Sequence, residues 1–261
     1  MRVITLLTDF GLEDGYVAAM KGVIASVAPE ARVVDVTHLV PPQDVAFARF
    51  RLLTAAPFFP PGTIHVAVVD PGVGTARRAV AIRCRSGSCL VGPDNGLLSG
   101  ALEADPPLAV VELSDPRFWR TDTPSATFHG RDIFAPVAAH LARGVTLEAL
   151  GPAVPPDGLV TLDLRPPTPV AGGLEGAVQA TDRFGNLISN VPAVLLPGNG
   201  AWRASIGGRT LPGHRTYADV PPGEALALVG SHGFVEIAVH RGDARSALGA
   251  SVGDRVEIRW A

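Results

Sequence analysis

Along residues 1–155 the apolar positions switch repeatedly between two periods. The run VITLLTD (3–9) is apolar and closes on polar residues, which predicts a buried strand ending at Thr8 and Asp9. GYVAAMKGVIASVA (15–28) has apolar positions at helical spacing and stops before Pro29, which predicts a helix. The pattern then repeats: strand ARVVDVT (31–37), helix DVAFARFRLLTAA (44–56), strand TIHVAVVD (63–70). AVAIRC (79–84) and CLVGPD (89–94) form a hairpin, followed by helix GLLSGALEA (96–104) and strand LAVVEL (108–113). RDIFAPVAAHLARG (131–144) has the period of a helix and ends on a glycine C-cap signal. Strands alternating with crossover helices predict an α/β domain over 1–155, its mostly parallel sheet covered by helices on both faces.

Residues 156–171 are rich in proline and glycine and read as a linker. Beyond it helical periodicity disappears. GAVQATD, LISNV, WRASIG, ALALVG, FVEIAVH and RVEIRW are short β-rich runs between turn signals. They predict a smaller all-β domain over 172–261, a barrel or sandwich.

Composition narrows the picture only in part. The chain has 261 residues, 47% of them apolar, and a formal charge of −3, which offers no electrostatic case for nucleic acid or an anionic membrane. No apolar run approaches the ~20 residues of a membrane span, and the start MRVITLLTDFG lacks the form of a signal peptide. The expectation is a soluble cytoplasmic protein. Cys84 and Cys89 flank the tip RSGS, where a hairpin disulfide is geometrically conceivable; free thiols are expected in a reducing compartment, and two thiols are too few for a metal site.

Ligands of α/β sheets bind beyond the carboxyl ends of the strands. Polar residues stand at those ends here: Thr8-Asp9, Asp70 and Asp94-Asn95. One such aspartate is often no more than a helix cap; three together point to a site. The stretch DPGVGTARR (70–78) resembles the glycine-rich motif of S-adenosylmethionine methyltransferases, but that motif opens a helix after the first strand. Here an alternating strand pattern follows. TDFGLEDG (8–15) resembles the aspartate cluster of calcium-dependent nucleoside hydrolases, and Asp9, Glu13 and Asp14 offer oxygens for such a cage. In TFHGRDIFAP (127–136), His129 stands at the entrance of a helix and is aimed into a cleft, or else Asp132 caps the helix and His129 is a solvated loop residue.

Seven motifs stand in one order along the chain: TDFG (8–11), VVDVTH (33–38), VVDPGVGTARR (68–78), GPDNG (92–96), TFHGRDIFAP (127–136), the D-FGN-I-N pattern (182–190) and SHGFVEIA (231–238). Together, across nearly the whole chain, they resemble the S-adenosylmethionine hydroxide adenosyltransferase family, relatives of the fluorinases and chlorinases. The resemblance implies hydrolysis of S-adenosylmethionine to adenosine and methionine by water or hydroxide attacking the ribose C5′, with preference for the (R) sulfonium epimer. It implies no metal and no cofactor. Asp70, Arg77 and His129 match the set that positions the water. Asp9 matches the residue binding the ribose hydroxyls, and Asp14 is a supporting acid. Asp182 and Ser231 match the methionine end; Asn186 and Tyr217 match the adenine site, and Arg241 faces adenine through its backbone. The family pattern also implies a homotrimer with each site at a subunit interface. Two departures stand out: Gln43 and Ile188 occupy positions where the halogenating relatives carry tryptophan. Those relatives also have Tyr, Thr and Tyr in place of Asp70, Arg77 and His129. A metal-dependent nucleoside hydrolase and a non-catalytic binding protein for S-adenosylmethionine or adenosine remain the alternatives.

Overall fold

In the computed structural model, which describes residues 2–198 and 200–260, the chain divides into two units, Met1–Leu162 and Asp163–Ala261. The apolar runs of the first become β1 (Val3–Thr8), β2 (Arg32–Thr37), β3 (Ile64–Val68), β4 (Ala79–Cys84), β5 (Cys89–Pro93) and β6 (Pro107–Glu112). The helical runs become α1 (Tyr16–Val27), α2 (Val45–Ala55), α3 (Ser99–Ala104) and α4 (Ala135–Ala142). The strand order is β2-β1-β3-β5-β4-β6. The first four are parallel, whereas β4 is antiparallel to β5 and to β6. The helix-covered α/β sheet is therefore present in mixed form. Its one inverted strand follows from the short 85–88 tip, which can only fold the chain straight back, since parallel neighbours need a long crossover.

Alternation along the strands divides the core between two faces. Ile4 and Leu6 of β1, with Ile64, Val66 and Val68 of β3, pack against Met20 and Ile24 of α1 and Val137, Ala138 and Leu141 of α4. Leu7, Ala67, Val80 and Ile82 point the other way, against Ala48 and Leu52 of α2 and Leu97, Leu98 and Ala101 around α3. β1, β3 and β5 all end on one edge, and the inverted β4 begins there. The 69–78 connection can therefore run along that edge without crossing the sheet. Within 156–162, Leu159 packs on the second core face, and Val160 N–H donates to Asp94.

The second unit contains β7 (Thr168–Val170), β8 (Gly173–Thr181), β9 (Leu187–Pro192), β10 (Trp202–Ile206), β11 (Arg209–His214), β12 (Ala225–Val229), β13 (Phe234–Val239), α5 (Ala244–Leu248) and β14 (Arg255–Trp260). β14 pairs with both β10 and β8, so the seven strands from β8 to β14 close into a barrel, with β7 added outside β8. Closure leaves those seven strands without an open edge. The interior is filled by alternate apolar residues, among them Val178, Leu187, Ala204, Ile237, Val256 and Ile258. The unit is a barrel, as one of the two expected forms, but not strictly all-β, because α5 is helical. Among the described residues no helix is long and apolar enough to cross a membrane.

Candidate active site

The edge on which β1 and β3 end carries a cleft of about 390 Å³, lined by Asp9, Asp70 and His129 together with Phe10, Tyr16, Gln43, Phe128 and neighbours. Asp70 follows β3, and a double turn brings the chain back at once: Val73 N–H donates to the Asp70 carbonyl and Thr75 N–H to that of Gly72. Gly74 makes the second turn possible. Its φ is +77°, and a Cβ there would collide with the Ala126 carbonyl. Arg77 is thereby returned beneath Asp70. Its Nε lies 3.0 Å from each Asp70 carboxylate oxygen, and its Nη2 donates both to Asp70 Oδ2 and, at 2.8 Å, to His129 Nδ1. The Arg77 and Asp70 side chains are only 11% and 5% exposed, and the guanidinium lies 5.4 Å from the Phe134 ring centre.

That geometry fixes the imidazole tautomer. A guanidinium can only donate, so His129 Nδ1 accepts and the neutral ring carries its proton on Nε2. Burial, and then the Arg77 charge, lower the His129 pKa, against the opposing pull of Asp70 and Asp132.

His129 owes its placement to a local anomaly. Residues Gly130–Phe134 form a π-helical turn ahead of α4. Pro136 has no N–H to offer the Asp132 carbonyl, which instead accepts Arg120 N–H at 2.9 Å. The Asp132 side chain is fully buried and does not cap a helix. It binds Arg120, Arg131 and Ser125 N–H, tying the 120–129 loop to the turn. Burial works to raise its pKa, but the Arg131, Arg120 and Ser125 bonds prevail and hold it well below the usual carboxylate range. Sequence reasoning weighed Asp132 only as a cap.

Asp9 is oriented by the backbone of Gln43, whose N–H donates to Oδ2 at 2.8 Å. Among the described residues Asp9 enters no ion pair, so its charge is open to a cationic or hydroxyl-bearing ligand. Gln43 (φ +66°) and Arg241 (φ +57°) are the described non-glycine residues with positive φ; each lines a cavity, and such strain tends to collect at functional sites. Phe10, Tyr16 and Phe128 form an aromatic wall, with ring centres 5.1–5.9 Å apart. Sequence reasoning missed this wall, although two of its rings lie in the TDFG and TFHG motifs. Asp14 is exposed and does not line the cleft. Asp94 is bound to Arg78, and Asn95 donates to the Val69 carbonyl, so both brace the loop. Among the described residues no group of three or more His, Cys, Asp or Glu side chains is gathered as a metal cage.

In the barrel unit, Asn186, Tyr217 and Arg241 line an open cavity of about 490 Å³ with Phe184 and Val239. Asp182 stands behind it and accepts from both the backbone and the side chain of Asn186 at 2.9 Å, fixing the amide. Ser231 is exposed in the turn between β12 and β13, and Ile188 is buried in β9.

Residues 4–151 match the SAM hydroxide adenosyltransferase N-terminal domain, and residues 176–257 match its C-terminal domain. The (R)-S-adenosyl-L-methionine hydrolase of Thermus thermophilus is 47% identical over 99% of this chain and 100% of its own. A fluorinase of an Actinoplanes species is 30% identical over 90% of each chain. Among solved structures, an uncharacterized conserved protein from Thermotoga maritima superposes with a TM-score of 0.92 at 37% identity, covering 98% of this chain and 99% of that one.

Proposed function

The chain belongs to the SAM hydroxide adenosyltransferase family and is an S-adenosylmethionine hydrolase; from that premise we propose that water held by Asp70, Arg77 and His129 attacks the ribose C5′. The observation that carries this is the Arg77 fork, which grips a carboxylate and an imidazole at once on the cleft wall. A sulfonium leaves as a neutral thioether and needs no proton, so the protein's task is to orient an oxygen nucleophile. Water alone, with a pKa of ~15.7, is a poor one. The oxygen forms its bond to C5′ as the C5′–S bond breaks, and the electron pair goes to sulfur. One proton leaves the attacking water for Asp70 and then solvent. His129, with its proton on Nε2, holds the water as a donor; its Nδ1 is engaged by Arg77 and is not free to act as the base. Arg77 fixes both partners, so that alignment is established before the reaction begins.

Asp9 binds the ribose hydroxyls and favours the positive sulfonium. The barrel cavity supplies adenine contacts from Asn186, Tyr217 and the Arg241 backbone, with Asp182 and Ser231 at the methionine end and Asp14 as a supporting acid. The chain works as a homotrimer in which a neighbouring copy completes each site, without metal or cofactor, and it prefers the (R) epimer. Its setting is the reducing cytoplasm, in keeping with the free thiols of Cys84 and Cys89; burial pushes the Cys84 thiol up to about 12. Separate incubation with (R)- and (S)-S-adenosylmethionine tests the proposal. Equal amounts of adenosine and methionine, faster from (R), are expected; free adenine, or activity abolished by a chelator, would favour a metal-dependent nucleoside hydrolase.

A further inference from the structure

The motif SHGFVEIA contributed only Ser231 to the site described above, yet it also places a buried carboxylate on the outer face of the barrel, opposite the Val235 and Ile237 side chains that fill its interior. The Glu236 side chain in β13 is 4% exposed, and its two oxygens are taken by different partners. Tyr217 O–H donates to Oε1 at 2.7 Å, and His232 Nε2 lies 3.0 Å from Oε2. The backbone fixes the direction of the second bond. Phe234 N–H donates to His232 Nδ1 at 3.2 Å, so the proton sits on Nε2 and is given to Glu236. Gly230 makes the room: a Cβ there would come within 2.5 Å of the imidazole and 2.7 Å of Glu236 Oε2.

The partners lie in two separate turns. Tyr217 opens a 3₁₀ turn whose start is fixed by a reciprocal cap between Thr216 and Asp219, and its ring lines the barrel cavity. Burial, and then Glu236, push the phenol pKa up, so the hydroxyl stays a donor. His232 adjoins Ser231 in a tight turn closed by Gly233 N–H to the Gly230 carbonyl at 2.9 Å. Burying a carboxylate is unfavourable, and one held beneath two turns, one of them walling a cavity, has a positioning use.

We propose that Glu236 is a positioning residue for substrate binding: it holds the Tyr217 ring as the cavity wall and, through His232, the turn that carries Ser231. This rests on the hydrolase reading for the identity of the ligand. The test measures KM and kcat for S-adenosylmethionine, the Kd of adenosine by calorimetry, and the melting temperature. These are compared among wild type, Glu236→Ala, Glu236→Gln, Tyr217→Phe and the double variant Tyr217→Phe/Glu236→Ala. Loss of a bond to a buried charged group predicts that Glu236→Ala raises both KM and adenosine Kd about tenfold or more, with kcat changed less than about threefold. Glu236→Gln, which keeps one acceptor oxygen, falls between. The double variant binds no worse than Glu236→Ala, because the two changes remove the same bond. A lowered melting temperature with KM and Kd unchanged would mean a purely structural carboxylate and overturn the proposal. Should Glu236→Ala not fold, unchanged KM and Kd in both Glu236→Gln and Tyr217→Phe would overturn it equally. A wild type that binds adenosine but leaves S-adenosylmethionine intact would overturn the hydrolase reading, while the adenosine Kd series would still decide the role of Glu236.

Discussion

Replacing Arg77 by alanine separates the structural and catalytic consequences of the fork. The change strands Asp70, whose side chain is 5% exposed and has Arg77 as its ion-pair partner, and it frees His129 Nδ1. Removing one member of a buried pair costs about 3–5 kcal/mol; residual access to water at the cleft places this case near the lower end. At roughly 2–4 °C per kcal/mol, the melting temperature of a unit of this size should fall by about 6–12 °C. Adding Asp70→Asn removes the stranded charge, so the double variant should recover about 2 kcal/mol relative to the sum of the single changes. Turnover should not recover, because neither variant can orient the water; a misplaced nucleophile costs about 100-fold or more in kcat. Thermal melts and chromatographic measurement of released adenosine supply both numbers. Strictly additive stability changes, or kcat within about threefold of wild type in Arg77→Ala, would refute the role assigned to the fork.

Burial and Arg77 lower the His129 pKa, and only the neutral ring accepts the Arg77 bond, so the acid limb of kcat/KM should have an apparent pKa below the ordinary ~6.5. In Arg77→Ala one lowering cause is gone and Asp70 still raises, so the limb should move up; an unmoved limb would exclude His129 as its origin. The linkage to stability has the same sign: with the folded pKa depressed, the unfolded chain binds more protons, so stability is full above ~6.5 and falls as pH drops toward the folded value. His65, held at about 4 by burial, extends that loss of stability to lower pH than the His129 effect, which denaturant melts between pH 7 and 4 would show. Gly74→Ala forces a Cβ against the Ala126 carbonyl at positive φ and should destabilise by about 1–3 kcal/mol; wild-type melting would show that the loop can adapt.

Much of the first unit was legible because period and punctuation agreed. α1 stops short of Pro29, and β1 and β3 lead into Asp9 and Asp70, which line the cleft. β4 and β5 were readable as a hairpin, but their consequence for sheet polarity was not, since pairing partners outside the hairpin leave no local signal. β11 was missed because Pro212 and Gly213 read as turn residues, although Leu211 faces the barrel core. At the site, Asp9, Asp70 and His129 were found as polar residues at strand and helix ends, and Arg77 through the motif that carries it. Asp132 was read as a cap because the π turn depends on an N–H that Pro136 lacks, and the partner of the freed carbonyl, Arg120, lies 12 residues earlier. Glu236 drew no notice because it takes the outward place in the alternation of β13, where a glutamate ordinarily meets solvent, and no local signal shows that the Tyr217 and His232 turns cover it.

Attack of water on the ribose C5′ is read out by turnover in ¹⁸O-labelled water with mass analysis of both products. One labelled oxygen is expected in the 5′-hydroxyl of adenosine and none in methionine, at a rate that collapses in Arg77→Ala. Label in a homoserine fragment, label at ribose C1′ with free adenine, or unlabelled adenosine would each contradict it.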